Sequence, residues 1–160
     1  MRRGRVAFAL AAVCGLLHAA VSAYWAAGGT ALLATLGETI LTAVGDSTWL
    51  LWPVTAVKTL VAVLPLVFER TGWPPLTRAL AWLAGAVLVL WGGINTITGN
   101  LVLSGIISPA GGYDRDAMIG HAWLWDPLFL IWGLALLVGL WRTRAAARRT
   151  AMITNVQTKA

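Results

Sequence analysis

An all-α fold, a four-helix transmembrane bundle with a short interfacial helix in its first external loop, follows from three features of the chain. Four apolar runs of 20 to 22 residues recur at Val6–Ala27, Trp49–Phe68, Ala79–Thr98 and Ala122–Trp141. A helix rises about 1.5 Å per residue, so each run covers the roughly 30 Å hydrocarbon core of a bilayer. Apolar residues make up 59% of the chain and charged residues 11%, too few to solvate the surface of a soluble domain. The connections between the runs alternate in charge.

That alternation sets the expected orientation. Arg2, Arg3 and Arg5 precede the first run, and Arg142, Arg144, Arg148, Arg149 and Lys159 follow the last. Basic flanks of spanning helices stay on the cytoplasmic side, where anionic lipid also attracts them. The net charge of +6 therefore points to a membrane and not to nucleic acid. Arg70 and Arg78 mark the connection after the second run as cytoplasmic. Glu38 and Asp46 after the first run, and Asp114, Arg115 and Asp116 after the third, mark external loops. The expectation is a multi-pass protein of the cell membrane with both termini cytoplasmic. Residues 1–144 form one transmembrane domain, and 145–160 a basic tail with little order beyond its first turn.

The first run opens with Arg-Arg-Gly-Arg and carries Val21-Ser22-Ala23, features shared with a secretory signal. Its 22 residues exceed the roughly 7–15 of a signal core, which favours a retained helix. In the loop that follows, Leu32, Leu33, Leu36, Ile40, Leu41 and Val44 recur at helical spacing, with Thr35, Glu38, Thr39 and Thr42 on another face. This pattern suits a short helix in the interface, either a plain connector or the cap of a pocket. Trp52-Pro53 opens the second span. Ala81, Gly85, Gly92, Thr96 and Gly99 place small residues along the third, allowing close approach of a neighbour. Leu101–Ile107, ended by Pro109, makes that stretch too long for the bilayer, so it must tilt or turn along the surface.

Much common chemistry is excluded. The single Cys14 forms no internal disulfide and no Cys-x-x-Cys pair. The only histidines are His18 and His121, so no Cys/His cluster has zinc spacing and no metal site is expected. Gly111-Gly112 lacks the Gly-Lys-Ser/Thr of a phosphate loop, and no cofactor is implied.

Polar residues inside the spans carry what functional information there is, because each is costly to place there. Lys58 lies about 14 Å below the outer end of the second span by helical rise, with Thr48, Thr55 and Thr59 along or beside its face. His18 reaches a similar depth, flanked by Cys14 and Ser22. Asp126 stands about one turn inside the last span, before Pro127, and Asn95 approaches the outer end of the third. Lys58 and Asp126 differ in depth by roughly 7 Å, which a lysine stem can largely close, so an ion pair is the simplest account of both. Such a pair would either staple the second and fourth helices or form part of a polar site.

Ten tryptophans add a second signal. Trp25, Trp49, Trp52, Trp73, Trp123, Trp125 and Trp141 lie near span ends, as an aromatic belt requires. Trp82, Trp91 and Trp132 lie deeper. His121, Trp125, Phe129 and Trp132 form an aromatic stripe, suited to packing, to a flat lipophile or to a cation over ring faces.

Two segments carry a family resemblance. Gly15-Leu16-Leu17-His18 followed by Tyr24-Trp25-Ala26-Ala27-Gly28-Gly29-Thr30 resembles one signature of a group of small four-span bacterial membrane proteins, catalogued only as a domain of unknown function. His121-Ala122-Trp123-Leu124-Trp125-Asp126-Pro127-Leu128-Phe129-Leu130-Ile131-Trp132-Gly133 resembles the other. The resemblance implies a four-helix membrane bundle and no activity. It singles out His18, Tyr24, Trp25, His121, Trp125, Asp126 and Trp132. With Lys58, Asn95 and Phe129, these are the candidate ligand-binding residues.

Three functions fit. The first is a non-enzymatic bundle that binds a lipid or small lipophile in its outer half, or supports a membrane complex. The second is an intramembrane enzyme using Asp126 or Glu38 to protonate an isoprenoid or sterol-like substrate. A Lys58 partner would make Asp126 a poor acid, which counts against it. The third is an oligomeric proton-coupled exporter of small solutes; no repeat links the two halves of the chain, which weakens a transporter reading. Expected partners are membrane lipid, a lipophilic small molecule and further copies of the chain.

Overall fold

A computed structural model describes residues 2–45 and 47–157. Asp46 and Lys159, used above for orientation, lie outside the described residues, as do the side chains of Arg2, Arg3, Arg148 and Arg149. The described chain folds as α1 (Arg2–Ala26), a 3-10 turn (Leu33–Leu36), α2 (Glu38–Val44), a second 3-10 turn (Thr48–Leu50), α3 (Leu51–Thr71), α4 (Pro75–Leu103), α5 (Arg115–Gly120), a π-helical turn (His121–Trp125) and α6 (Asp126–Gln157). Four stretches are long and apolar enough to cross a membrane: Gly4–Ala26, Thr48–Thr71, Pro75–Leu103 and Arg115–Arg144. No strand occurs among the described residues. The all-α four-helix bundle is what the apolar runs lead one to expect.

Boundaries shift for local reasons. Helix α1 ends where Gly28 takes φ 89°, and Gly29 N–H and Gly28 N–H donate to the Tyr24 and Trp25 carbonyls, both at 2.9 Å. This pair of bonds is a Schellman cap, so Gly28-Gly29 closes the helix. The stretch read as one amphipathic helix is split by Gly37, also at φ 89°. Leu33 and Leu36 fall in the 3-10 turn, and α2 keeps only 7 residues. The side chains of Thr39 and Val44 lie outside the described residues.

Helix α4 runs 29 residues, about 43 Å by helical rise, and stops at Ser104 and Gly105. The apolar extension thus ends before Pro109. The final span begins earlier than Ala122, because Asp114 caps α5 by accepting from Asp116 N–H at 3.0 Å and Ala117 N–H at 3.1 Å. It also continues as helix to Gln157, past the single turn of order expected for the tail.

The helices pack in the order α3, α1, α6, α4, each antiparallel to its neighbour. Half of the most apolar stretch of α1 and 44% of that of α6 are buried, against 11% for α3 and α4. The first and last spans are therefore the inner pair. Phe8, Ala11, Cys14, Trp132, Ala135, Leu136 and Leu140 pack between them, with Ala62 of α3. This apolar core occupies the half nearer the termini. Polar side chains gather toward the opposite, distal end.

Candidate functional site

Helix α6 builds most of the distal site, and its backbone is unusual there. The π turn widens the helix, a feature frequent at functional sites. Pro127 stands five residues beyond Ala122 and has no N–H to complete the π pattern. The Ala122 carbonyl accepts instead from Asn100 Nδ2 of α4, at 3.5 Å.

His18 of α1 sits in the aromatic stripe. It stacks on Phe129 with centroids 3.9 Å apart, and lies 5.7 Å from Trp125 and 6.5 Å from Trp132. Its Nε2 is 3.0 Å from the Trp125 carbonyl. A carbonyl only accepts, so Nε2 carries the proton. Trp125 Nε1 donates to Thr35 Oγ1 at 2.9 Å, which fastens the first loop to the bundle. Trp25 meets Trp125 edge to face at 5.3 Å and donates from Nε1 to the Ala31 carbonyl at 2.8 Å. The Ala31 N–H in turn donates to the Tyr24 hydroxyl at 3.3 Å.

Trp25 and Trp125 are thus 4% and 5% exposed, and the belt reading fails for both because each indole N–H has an internal acceptor. It fails for Trp73 too, which is half-buried against Phe8 and Phe68. Trp49, Trp52, Trp123 and Trp141 are exposed at helix ends, as a belt requires. Of the deeper three, Trp132 is in the core, Trp91 is exposed on α4, and Trp82 lies 4.2 Å from the Arg144 guanidinium carbon.

The expected Lys58–Asp126 ion pair does not form. Lys58 Nζ donates to Ser22 Oγ of α1 at 2.9 Å and lies 5.5 Å from the Phe129 ring. Asp126, fully buried, holds His121 Nδ1 at 2.7 Å through Oδ2. The stem of Lys58 is taken up by the nearer helix, while His121, only five residues from Asp126, folds back across the π turn. A local partner needs no long reach. Asp126 Oδ1 has no hydrogen-bond partner among the described residues.

The result is two adjoining polar centres. One joins His18, Ser22 and Lys58 with Trp125, Phe129 and Trp132. The other is the His121–Asp126 pair, whose histidine lines a distal vestibule of about 990 Å³. Glu38, Asn95, Tyr113 and Asp114 also line that vestibule, with Trp91 and Met118 as apolar walls. Asn95 therefore joins His121. Tyr24 stands apart, half-exposed, as part of the α1 cap. Thr35, Asn100, Tyr113 and Asp114 enter the site unforeseen. They lie in loops or at helix ends, and even for Thr35, read on the polar face of a loop helix, the periodicity says nothing of which group that face meets.

No match is found among curated proteins or among solved structures. A family model described as "Protein of unknown function (DUF3995)" matches residues 15–136, a span that holds every residue of both centres and of the vestibule wall. A domain of unknown function is what the resemblance led one to expect, and the chain belongs to the DUF3995 family of proteins of unknown function.

Proposed function

We propose that this chain is an integral membrane protein that binds a lipid or small lipophilic molecule at the outer end of its bundle, the His121–Asp126 pair serving as polar anchor. In this reading the arginines flanking α1 and α6 keep the termini inside, and the vestibule opens outward. One observation carries it. A fully buried carboxylate, one oxygen of which has no partner among the described residues, stands directly behind a histidine on the wall of a cavity of about 990 Å³. Ligand sites commonly combine a cavity of roughly 300–1,000 Å³ with a few convergent polar groups on apolar walls. Trp91, Met118 and Leu36 supply such walls here.

The test is native mass spectrometry of protein extracted gently from its own membrane, beside an Asp126→Asn, His121→Phe variant. A small molecule retained by the parent and lost from the folded variant supports the reading and identifies the ligand class. Parent protein carrying only bulk phospholipid would sink it.

One observation favours acid–base chemistry as a second reading. Asp126 is joined to His121 and not to Lys58, which removes the conflict with an acid role for this site. A carboxylate that orients a histidine toward a cavity is suited to moving a proton to a double bond. Deuterium uptake by an added isoprenoid in heavy water, absent with Asp126→Asn, would favour catalysis. No exchange under any condition would leave binding alone.

A further inference from the structure

Helices α3 and α4 are joined by only Gly72-Trp73-Pro74, yet along their length they scarcely touch. Between them, in the half nearer the termini, lies a cleft of about 260 Å³. Leu60, Leu64, Pro65, Leu80 and Ala84 form its sides and Leu136 of α6 its floor. Among the described residues, no charged side chain lines it. The volume falls below the roughly 300–1,000 Å³ of pockets for whole drug-sized molecules and suits a length of acyl chain.

Its closed end has a different chemistry. Trp73 lines the cleft, and its indole N–H is buried without a partner among the described residues. The Arg78 guanidinium carbon lies 5.6 Å from the centre of that indole. Arg78 is anchored by two bonds from Nη2, to the Leu140 carbonyl at 2.7 Å and to Thr143 Oγ1 at 3.1 Å, while Nη1 has no hydrogen-bond partner among the described residues. Arg70 is exposed on the last turn of α3, two residues beyond the cleft residue Phe68. Glu69 is the neighbouring carboxylate, so the two arginines outweigh it by one charge.

We infer that this cleft holds one anionic phospholipid of the leaflet at the termini end, with an acyl chain between α3 and α4 and its phosphate at Arg78 and Arg70. An apolar slot between two spanning helices, open on the side where they do not meet, faces hydrocarbon and no other solvent. Cations at one end of that slot lie where a headgroup would, at the interface. A positive interface attracts anionic lipid over zwitterionic lipid by about fivefold per arginine. The orphan indole N–H adds a donor for an ester or phosphate oxygen.

The full chain, reconstituted in equal amounts of phosphatidylglycerol and phosphatidylcholine and released into native mass spectrometry, tests this. The expected result is one phosphatidylglycerol per protomer, retained over phosphatidylcholine by about fivefold or more. Ala84→Phe fills the slot and should strip the bound lipid of either kind. Arg70→Gln, at an exposed position, should cut the preference by about fivefold and leave the fold intact. Equal retention of the two lipids by the parent protein overturns the inference. So does a folded Ala84→Phe protein that keeps its lipid, or an Arg70→Gln, Arg78→Gln protein with undiminished preference.

Discussion

The two outer helices of the bundle are held in opposite ways. Helix α4 meets α6 backbone to backbone. A Cβ on Gly92 would stand 2.5 Å from both the Asp126 carbonyl oxygen and the Leu130 nitrogen, and one on Gly133 would stand 2.8 Å from the Gly85 carbonyl oxygen. Helix α3 meets α1 through side chains: a Cβ on Gly15 would find the Ala62 methyl and the Trp132 ring at 2.6 Å, and Lys58 reaches Ser22. Where α3 faces α4 there is a cleft. In hydrocarbon, helices gain little from burying apolar surface, so close backbone approach is what fixes a seam. The α4–α6 seam is therefore the rigid side of the molecule, and it is the side that carries the Asp126 backbone. The α3 side has room for a guest.

Replacing Gly92 by Val should break the comparison most severely, since backbone atoms cannot step aside. The expected loss is about 3 kcal/mol or more, read by denaturant unfolding in mixed micelles. Gly93→Ala, one residue away with its nearest neighbour at 3.8 Å, should be close to neutral and serves as the control. A large effect at Gly93 would show that helix propensity, not the seam, is being measured.

Next in size is Asp126→Leu, which leaves His121 without its buried partner and should cost about 3 kcal/mol. Asp126→Leu with His121→Phe should recover part of that loss, because a pair removed together leaves no stranded polar group. Failure to recover any would mean that Asp126 is bonded to something beyond His121.

Gly15→Ala probes the side-chain seam and should cost about 1–2 kcal/mol, less than Gly92→Val, because the Trp132 ring can tilt and α3, which carries Ala62, can move outward as a unit. Weaker still is the Lys58–Ser22 bond. A double-mutant cycle of Lys58→Met and Ser22→Ala should give a coupling of about 1 kcal/mol, and none at all would show that Lys58 snorkels past Ser22. Smallest is Ala84→Leu in the cleft, expected within about 0.5 kcal/mol of the parent, where a tight seam would have refused it.

Legibility followed the same division. Gly85, Gly92 and Gly99 announced a close seam, since a seven-residue spacing of small residues on a helix marks one face. The end of α1 at Gly28 matches the end of the first apolar run, whereas Gly37, whose positive φ splits the loop helix, lay inside a periodicity that ran straight through it. Asp126 and His18 were singled out by the cost of placing them in a span, and both are buried. Their partners were not readable. Depth along a helix axis says how far in a group lies and nothing about which way it points, so Lys58 and Asp126 looked like a pair when each had a nearer partner.

The third and fourth spans run to 29 and 30 residues, beyond the 20 read for each. Composition and periodicity alone nonetheless settle that four apolar helices form, where each lies, and which positions are costly enough to need a partner. Those are properties of short windows, governed by local rise, hydropathy and backbone freedom. Three things needed the folded chain: that α1 and α6 form the inner pair, that Asp126 turns to His121 across a π turn, and that α3 and α4 part around a cleft. Each depends on the rotation of a helix about its own axis against its neighbours, a quantity set by packing between residues distant in the chain.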